Sequence, residues 1–334
     1  MSRSLFLKLH TMNYQDIRTE FELPPGWGAP EIFEEEVDIS GVTIHIAGFF
    51  SAKGQGEVTG SAAALSGQPQ ERAWFELLER ACVLDAIRGE QKDFPLLDEN
   101  GESLGRISQE ELFPESDSPQ EWLYAKSNGV AIYSDAKSAR LRAKYELLER
   151  DAVLRYWFSS SAPQKIDPPE ILPGLMSEYT FGAYRFRSFR EKEGPETVGV
   201  FAFPKNPAAP LVYGFSCRES SGEALQKAWE ETLQRMAFLW GEELPATEPE
   251  FSPTALYHQE YWLQPQMSLK MRSWLDGAAS VGATPFQDRP KMRFADLTPP
   301  HLEGRLSVVK ALCDEIAPLY FGRRRPGEPI HPIA

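Results

Sequence analysis

Three stretches of this 334-residue chain carry glutamates at a spacing that can do chemistry. Glu76 and Glu79, Glu146 and Glu149, and Glu231 with Gln234 stand three residues apart, and Arg80, Arg150 and Arg235 follow them directly. Side chains at i, i+3 and i+4 share a helix face, so each stretch offers two oxygen-bearing groups and a guanidinium on one side. Carboxylates ligate divalent cations, and arginines grip phosphate oxygens. Three such faces brought to one centre meet the needs of a metal-nucleotide site. Any one copy is accounted for by a solvated helix face with alternating charge; three copies in register weaken that explanation.

The elements that must position these groups repeat with them. Arg72, Arg142 and Lys227 stand four residues before the first glutamate, and Ala73, Ala143 and Ala228 three before it. Leu78, Leu148 and Leu233 fall on the opposite side, as do Leu84, Leu154 and Leu239, so the periodicity predicts three amphipathic helices with a leucine face toward the core. Val83, Val153 and Phe238 lie on nearly the same side as the glutamates, which makes the polar stripe only half wet. Glu76 to Glu146 is 70 residues and Glu146 to Glu231 is 85, too irregular for a solenoid. The pattern reads as a duplicated unit folded around one centre.

Composition sets the frame. With 42% hydrophobic and 25% charged residues, the chain is expected to form one large domain or two modest ones around a sizeable core. A formal net charge of −14 disfavours nucleic acid as a partner, since phosphate backbones call for a basic face. The opening MSRSLFLKLHTMNYQD has too short an apolar run for a secretory signal, and no later segment approaches a membrane span; a cytoplasmic location is expected. Cys82, Cys217 and Cys313 form no Cys-x-x-Cys pair, and Cys82, on the inner face of its helix, reads as a core thiol. The five histidines, His10, His45, His258, His301 and His331, show no metal-ligand spacing.

In chain order, residues 37–50 alternate Val42, Ile44 and Ile46 and predict a strand after a turn at Ser40-Gly41. The small-residue stretch from Lys53 to Ser61 reads as a flexible connection, because it lacks the Gly-Lys-Ser/Thr ending of a phosphate loop. Asp98-Glu99-Asn100-Gly101 predicts a surface hairpin. Ser134-Asp135 supplies the N-cap of the second helix, Pro163 to Pro173 end that helical region, and the third helix begins after Ser220-Ser221-Gly222. Strands are expected at Tyr184–Phe189, Val198–Phe203 and Leu211–Phe215.

Ser127-Asn128-Gly129-Val130-Ala131 running into Glu146-Leu147-Leu148-Glu149-Arg150-Asp151-Ala152 resembles the central signature of the YcaO superfamily. The first helix resembles that family's Glu-x-x-Glu-Arg element, and Glu223-Ala224 with Glu231-Thr232-Leu233-Gln234 its third element. Asp296-Leu297-Thr298, Ser307-Val308-Val309-Lys310-Ala311 and Pro318-Leu319-Tyr320-Phe321-Gly322 resemble its closing strand and tail. The resemblance covers roughly residues 50–334. It implies an α/β chain of YcaO-like fold, in which mixed β-sheets carry the repeated helices with the nucleotide site between them. Residues 1–50 would be an N-terminal segment packed on the main domain, and 51–334 the ATP-binding domain with a proline-rich tail.

The activity implied is ATP-dependent phosphorylation of a peptide backbone amide, with cyclodehydration of Cys, Ser or Thr to azolines in a ribosomally made peptide. Thioamide or amidine formation follows from the same activation, and a scaffold that binds peptide without phosphoryl transfer is the alternative. ATP and Mg2+ are the implied cofactors. Carried over by position, Glu76, Glu79, Glu146, Glu149, Glu223 and Glu231 would hold the metal. The nucleotide would also meet Arg80, Asn128, Ser138, Arg150 and Gln234. Arg72 and Ser138 depart from the family, which usually has serine and glutamate there, and Arg235 is assigned no role. The tail from Pro326 has proline every third residue where azoline-forming relatives often have it at alternate ones; a stiff, extended end would bring His331 and the Ala334 carboxylate to the substrate as catalytic groups. The implied partners are a precursor peptide and a separate leader-binding or E1-like protein, with a homodimer left open.

Overall fold

The computed structural model describes residues 14–187, 194–277 and 290–333. Helix α1 (Tyr14–Glu20) leads into a meander of β1 (Glu31–Ile39), β2 (Val42–Lys53) and β3 (Gly56–Ala64), and α2 (Gln70–Arg88) lies on it. Then come the hairpin β4 (Asp93–Leu97) and β5 (Ser103–Ser108), the short α3 (Gln109–Leu112), β6 (Trp122–Tyr124), β7 (Val130–Tyr133) and α4 (Ala136–Phe158). Strand β8 (Gln164–Ile166), α5 (Pro173–Glu178), β9 (Tyr179–Phe186), β10 (Glu196–Pro204) and β11 (Val212–Arg218) precede α6 (Ser221–Leu239). The described chain closes with α7 (Ala255–Leu263), α8 (Met267–Leu275), β12 (Arg293–Asp296), β13 (Ser307–Leu312) and β14 (Tyr320–Gly322).

The three repeat helices are α2, α4 and α6; each packs mainly on one sheet, with α4 also against β11 and α6 also against β3. Helix α2 covers β1-β2-β3, α4 packs on β13 and β7 of the sheet ordered β5-β4-β12-β13-β7, and α6 covers β11 and β10 of the sheet β11-β10-β9-β8. This is the expected α/β arrangement. Every pairing between described strands is antiparallel, so the sheets are of uniform rather than mixed direction. None of the described helices is long and apolar enough to cross a membrane.

Most of the expected leucine face is buried, Ala73, Ala143, Ala228, Leu78, Leu148, Leu154 and Leu233 among it. Leu84 and Leu239 are only half-buried, because a residue eight after the glutamate lies roughly a quarter turn from it rather than opposite. Asp135 caps α4 by accepting from Ser138 N, and Ser220 caps α6 by accepting from Glu223 N. Such caps satisfy amides that the first helical turn leaves without a partner.

Strand β3 corrects the reading of the small-residue stretch. The chain turns at residues 54–55 and then pairs with β2 from Lys53↔Gly56 to His45↔Ala64. Its glycine admits the helix: a Cβ at Gly60 would lie 2.1 Å from Ala73 O, and one at Gly214 on β11 would lie 2.6 Å from Ala228 O. Ala73 and Ala228 are equivalent repeat positions, so the same close helix-on-strand contact occurs twice. The boundary expected at residue 50 falls within β2, whose two neighbours flank it on either side. Phe189 and Ala334 lie outside the described residues.

Candidate functional site

The polar faces of α2, α4 and α6 meet. Glu76, Arg80, Arg150 and Glu231 line two adjoining cavities of about 780 and 540 Å3. Glu79, Asn128, Glu146 and Glu149 line the larger, and Gln234 and Arg235 the smaller. The half-wet stripe is explained by the same geometry, since Val83 and Phe238 face these cavities rather than bulk solvent.

Strand and loop amides aim the carboxylates. Ser61 N on β3 donates to Glu76 Oε2 at 2.6 Å, and Ile132 N on β7 to Glu79 Oε2 at 2.9 Å. Backbone N–H groups of Gly129 and Phe215 lie where they favour the charged carboxylates of Glu146 and Glu231. Ser61 also joins two helices, because its carbonyl accepts from Gln234 Nε2 at 3.1 Å. Arg80 pairs with Glu76 at 2.6 Å and donates to Thr59 O at 2.9 Å; Arg150 Nη1 stands 3.0 Å from Glu149 Oε1.

These acids are crowded and poorly hydrated. Loss of hydration, then the Glu146 charge, pushes Glu79 up to about 8; loss of hydration pushes Glu149 up to about 8 against the pull of Arg150. Burial raises Glu146 and Glu231 as well, with Arg150 opposing both shifts. Glu231 is exposed on the wall of both cavities, and the Arg150 and Arg218 guanidinium groups oppose its rise. Burial would lower Arg150, but Glu149, Glu146 and Glu231 hold it above its ordinary value.

The donor set fits a metal-nucleotide. The buried Asn128 Oδ1 has no hydrogen-bond partner among the described residues, nor do the buried Nε atoms of Arg150 and Arg218, while Glu149 Oε1 is held by its ion pair with Arg150. An acceptor suited to a cation or its water and donors suited to phosphate therefore stand unengaged beside paired carboxylates. Among the described residues no three His, Cys, Asp or Glu side chains are grouped closely enough to hold a metal by themselves. Magnesium in nucleotide sites takes one or two carboxylates and completes its shell with phosphates and water, so the spread of these acids is compatible with that role.

Several expected positions lie elsewhere. Ser138 and Glu223 line neither cavity; each stands eight residues before its repeat glutamate, about 12 Å along a helix at ~1.5 Å per residue, and Glu223 is exposed. His331 is buried with its ring among His258, Tyr320, Phe321 and Phe158, and its Nε2 lies 2.6 Å from Tyr320 O. Burial pushes its pKa down to about 3, and the ring lines neither cavity. The tail itself does arrive: Pro332 and Ile333 line the smaller cavity, with Tyr213 Oη donating to Pro332 O at 2.8 Å. Arg235, assigned no role, lines that cavity too and lies over the Tyr213 ring at 4.9 Å.

The cavities add groups that sequence reasoning passed over. Arg142 and Arg218 line the larger one. Arg142 was visible as the basic residue four before the repeat glutamate, whereas Arg218 closes β11 and has no counterpart in the repeats. Arg72 lines the smaller cavity, donates to Ala63 O and pairs with Glu230 at 3.3 Å.

A family model described as YcaO cyclodehydratase, ATP- and Mg2+-binding, matches residues 110–315, well over half of the chain. No curated protein matches. Among solved structures the fold is similar to YcaO from Methanopyrus kandleri bound with AMPPCP and Mg2+, at 15% identity and TM-score 0.62 over 97% of this chain and 96% of that one. A heterocyclase in complex with substrate and cofactor matches at 12% identity and TM-score 0.59, over 92% of this chain and 52% of the other. The E. coli microcin synthetase McbBCD complex matches at 14% and 0.53, over 81% and 85%. The family model begins after α2, so Glu76 and Glu79 lie outside its match.

Proposed function

The chain belongs to the YcaO family, and from that premise we propose that it activates a peptide backbone amide with consumption of ATP. The reaction is cyclodehydration of a ribosomally made precursor peptide. The side chain of a Cys, Ser or Thr adds to the preceding carbonyl carbon, the carbonyl oxygen departs as phosphate, and a thiazoline or oxazoline ring closes. ATP with magnesium supplies the phosphoryl group that turns a poor leaving group into a good one.

The observation that carries this reading is the convergence of acids from three helices with Arg80 and Arg150 in one concavity. Glu76, Glu146, Glu149 and Glu231 would hold magnesium, with Glu79 beside them. Arg80 and Arg150, with Arg142 and Arg218, would meet phosphate oxygens, where fixed positive charge acts at low dielectric. Asn128 would accept from the nucleotide or its water. His331, neutral and packed, is assigned to anchoring the tail so that Pro332 and Ile333 shape the smaller cavity for peptide. Relatives solved with a substrate or inside a multi-protein synthetase support a peptide substrate and a partner protein.

A second reading has its own observation. Arg72 already bridges α2 and α6 where the family usually has serine, and Ser138 replaces a usual glutamate, which favours a scaffold that binds peptide without transferring phosphate. The discriminating experiment incubates the protein, Mg-ATP and candidate partners with a precursor peptide whose reacting carbonyl carries an isotopic oxygen label. Loss of one water per modified residue, with the label in inorganic phosphate, is expected. Replacement of oxygen by sulfur would assign thioamide formation instead, and an unchanged peptide under every partner combination would favour the scaffold.

A further inference from the structure

The larger cavity has a thin wall. Tyr124, Ala125, Lys126 and Asn128 line it on one side and a separate cavity of about 360 Å3 on the other. On that far side stands Lys310 of β13, only 6% exposed. Its Nζ donates to Lys126 O at 2.9 Å and to Asn128 O at 2.5 Å, while the neighbouring Ala311 N donates to Gly129 O at 2.8 Å. One strand thus holds three carbonyls of a four-residue segment. On the near side, the same segment offers Asn128 Oδ1 without a partner among the described residues, and Asn128 and Val130 line the cavity together with Glu146, whose charged form the Gly129 N–H favours.

We propose that Lys310 is a positioning residue of the nucleotide site, pinning residues 126–129 from behind so that Asn128 and Glu146 face the cavity in fixed geometry. The proposal rests on the reading of that cavity as a Mg-ATP site. An apolar side chain would fill the same buried space with less desolvation, but it would leave the two carbonyls without donors, whereas a cationic side chain brings several N–H groups to bear on them. Lys310 also sets a positive charge behind Glu146: burial lowers its pKa to about 8, and the Glu146 carboxylate is what opposes that shift. The Phe113 ring, 5.7 Å from Nζ, packs beside it. A segment released by losing these bonds would sample other conformations, and each ligand placed on it would be held less often in the competent one.

The test compares the parent with Lys310→Met and Lys310→Arg, each checked for a native circular dichroism spectrum. Amide hydrogen exchange at residues 127–130 is read without nucleotide, and Mg-ATP affinity by calorimetry. Lys310→Met is expected to speed exchange there and to weaken Mg-ATP binding, each roughly tenfold or more. Lys310→Arg, with room in the cavity behind it for a larger donor, is expected to restore both. Should Lys310→Met fail to fold, Lys310→Gln is judged by the same two readings. Parent-like exchange and affinity would overturn the proposal, and so would fast exchange with unchanged affinity, since the pin would then serve the fold alone. If the parent binds no Mg-ATP, the functional reading fails first, and the exchange measurement still decides whether Lys310 pins the segment.

Discussion

Glu79 and Glu149 are carboxylates pushed up to about 8 by lost hydration and by neighbouring acids, so on the proposed reading a cation bound at Glu149 and beside Glu79 would displace protons near neutral pH. The sign follows directly. In the unfolded chain these groups titrate near 4.5, so between that value and about 8 the folded state binds more protons, and stability falls as pH rises. Mg-ATP affinity moves the other way, because the ligand competes with those protons. Calorimetry on either side of pH 8 is expected to show affinity rising with pH and proton release on binding below it. Affinity flat or falling across that range would mean that these acids do not meet the metal. At this scale sequence was informative where spacing fixed direction, as for Glu76, Glu146 and Glu231. It was silent on Arg218 and on the burial of His331, which depend on strands and rings distant in the chain.

Among elements, the recurring unit is a helix pressed onto a glycine-bearing strand. The three helices and their caps were legible because a leucine face at period 3.6 and a capping Asp135 or Ser220 are local signals. The strand beneath α2 was not, because Gly56, Gly60, Ser61 and the alanines after it dilute the branched residues that announce a strand, Gly56 and Gly60 being small where the helix lies against them. Gly214 makes this testable. A side chain there would meet Ala228 O and the Glu231 Cβ, each at 2.6 Å from its first carbon, so Gly214→Val must push α6 away from β11. Overpacking of this kind costs ~1–3 kcal/mol, and a denaturant titration is expected to show that loss together with weakened Mg-ATP binding, because the displaced helix carries Glu231. Undiminished stability would mean that the contact is slack.

For the whole molecule, three sheets with one helix each leave their polar faces nowhere to go but inward, against one another. The site exists because Ser61 ties α2 to α6 through Glu76 and Gln234 and the segment ahead of α4 brings Glu146 between them. The repeat in the sequence foretold a common centre. It did not foretell that the first residues of α4 and α6, including Ser138 and Glu223, would line neither cavity. The central claim is that all three helices serve one Mg-ATP site, and calorimetric titration of Mg-ATP tests it most directly when Glu76→Gln, Glu146→Gln and Glu231→Gln are compared with the parent, each variant nearly isosteric and confirmed as folded. One nucleotide per chain is expected, with every variant weakened roughly tenfold or more, on the order of 1.4 kcal/mol each. Parent-like binding in any one of the three would contradict the claim, since the helix carrying that residue would then stand outside the site.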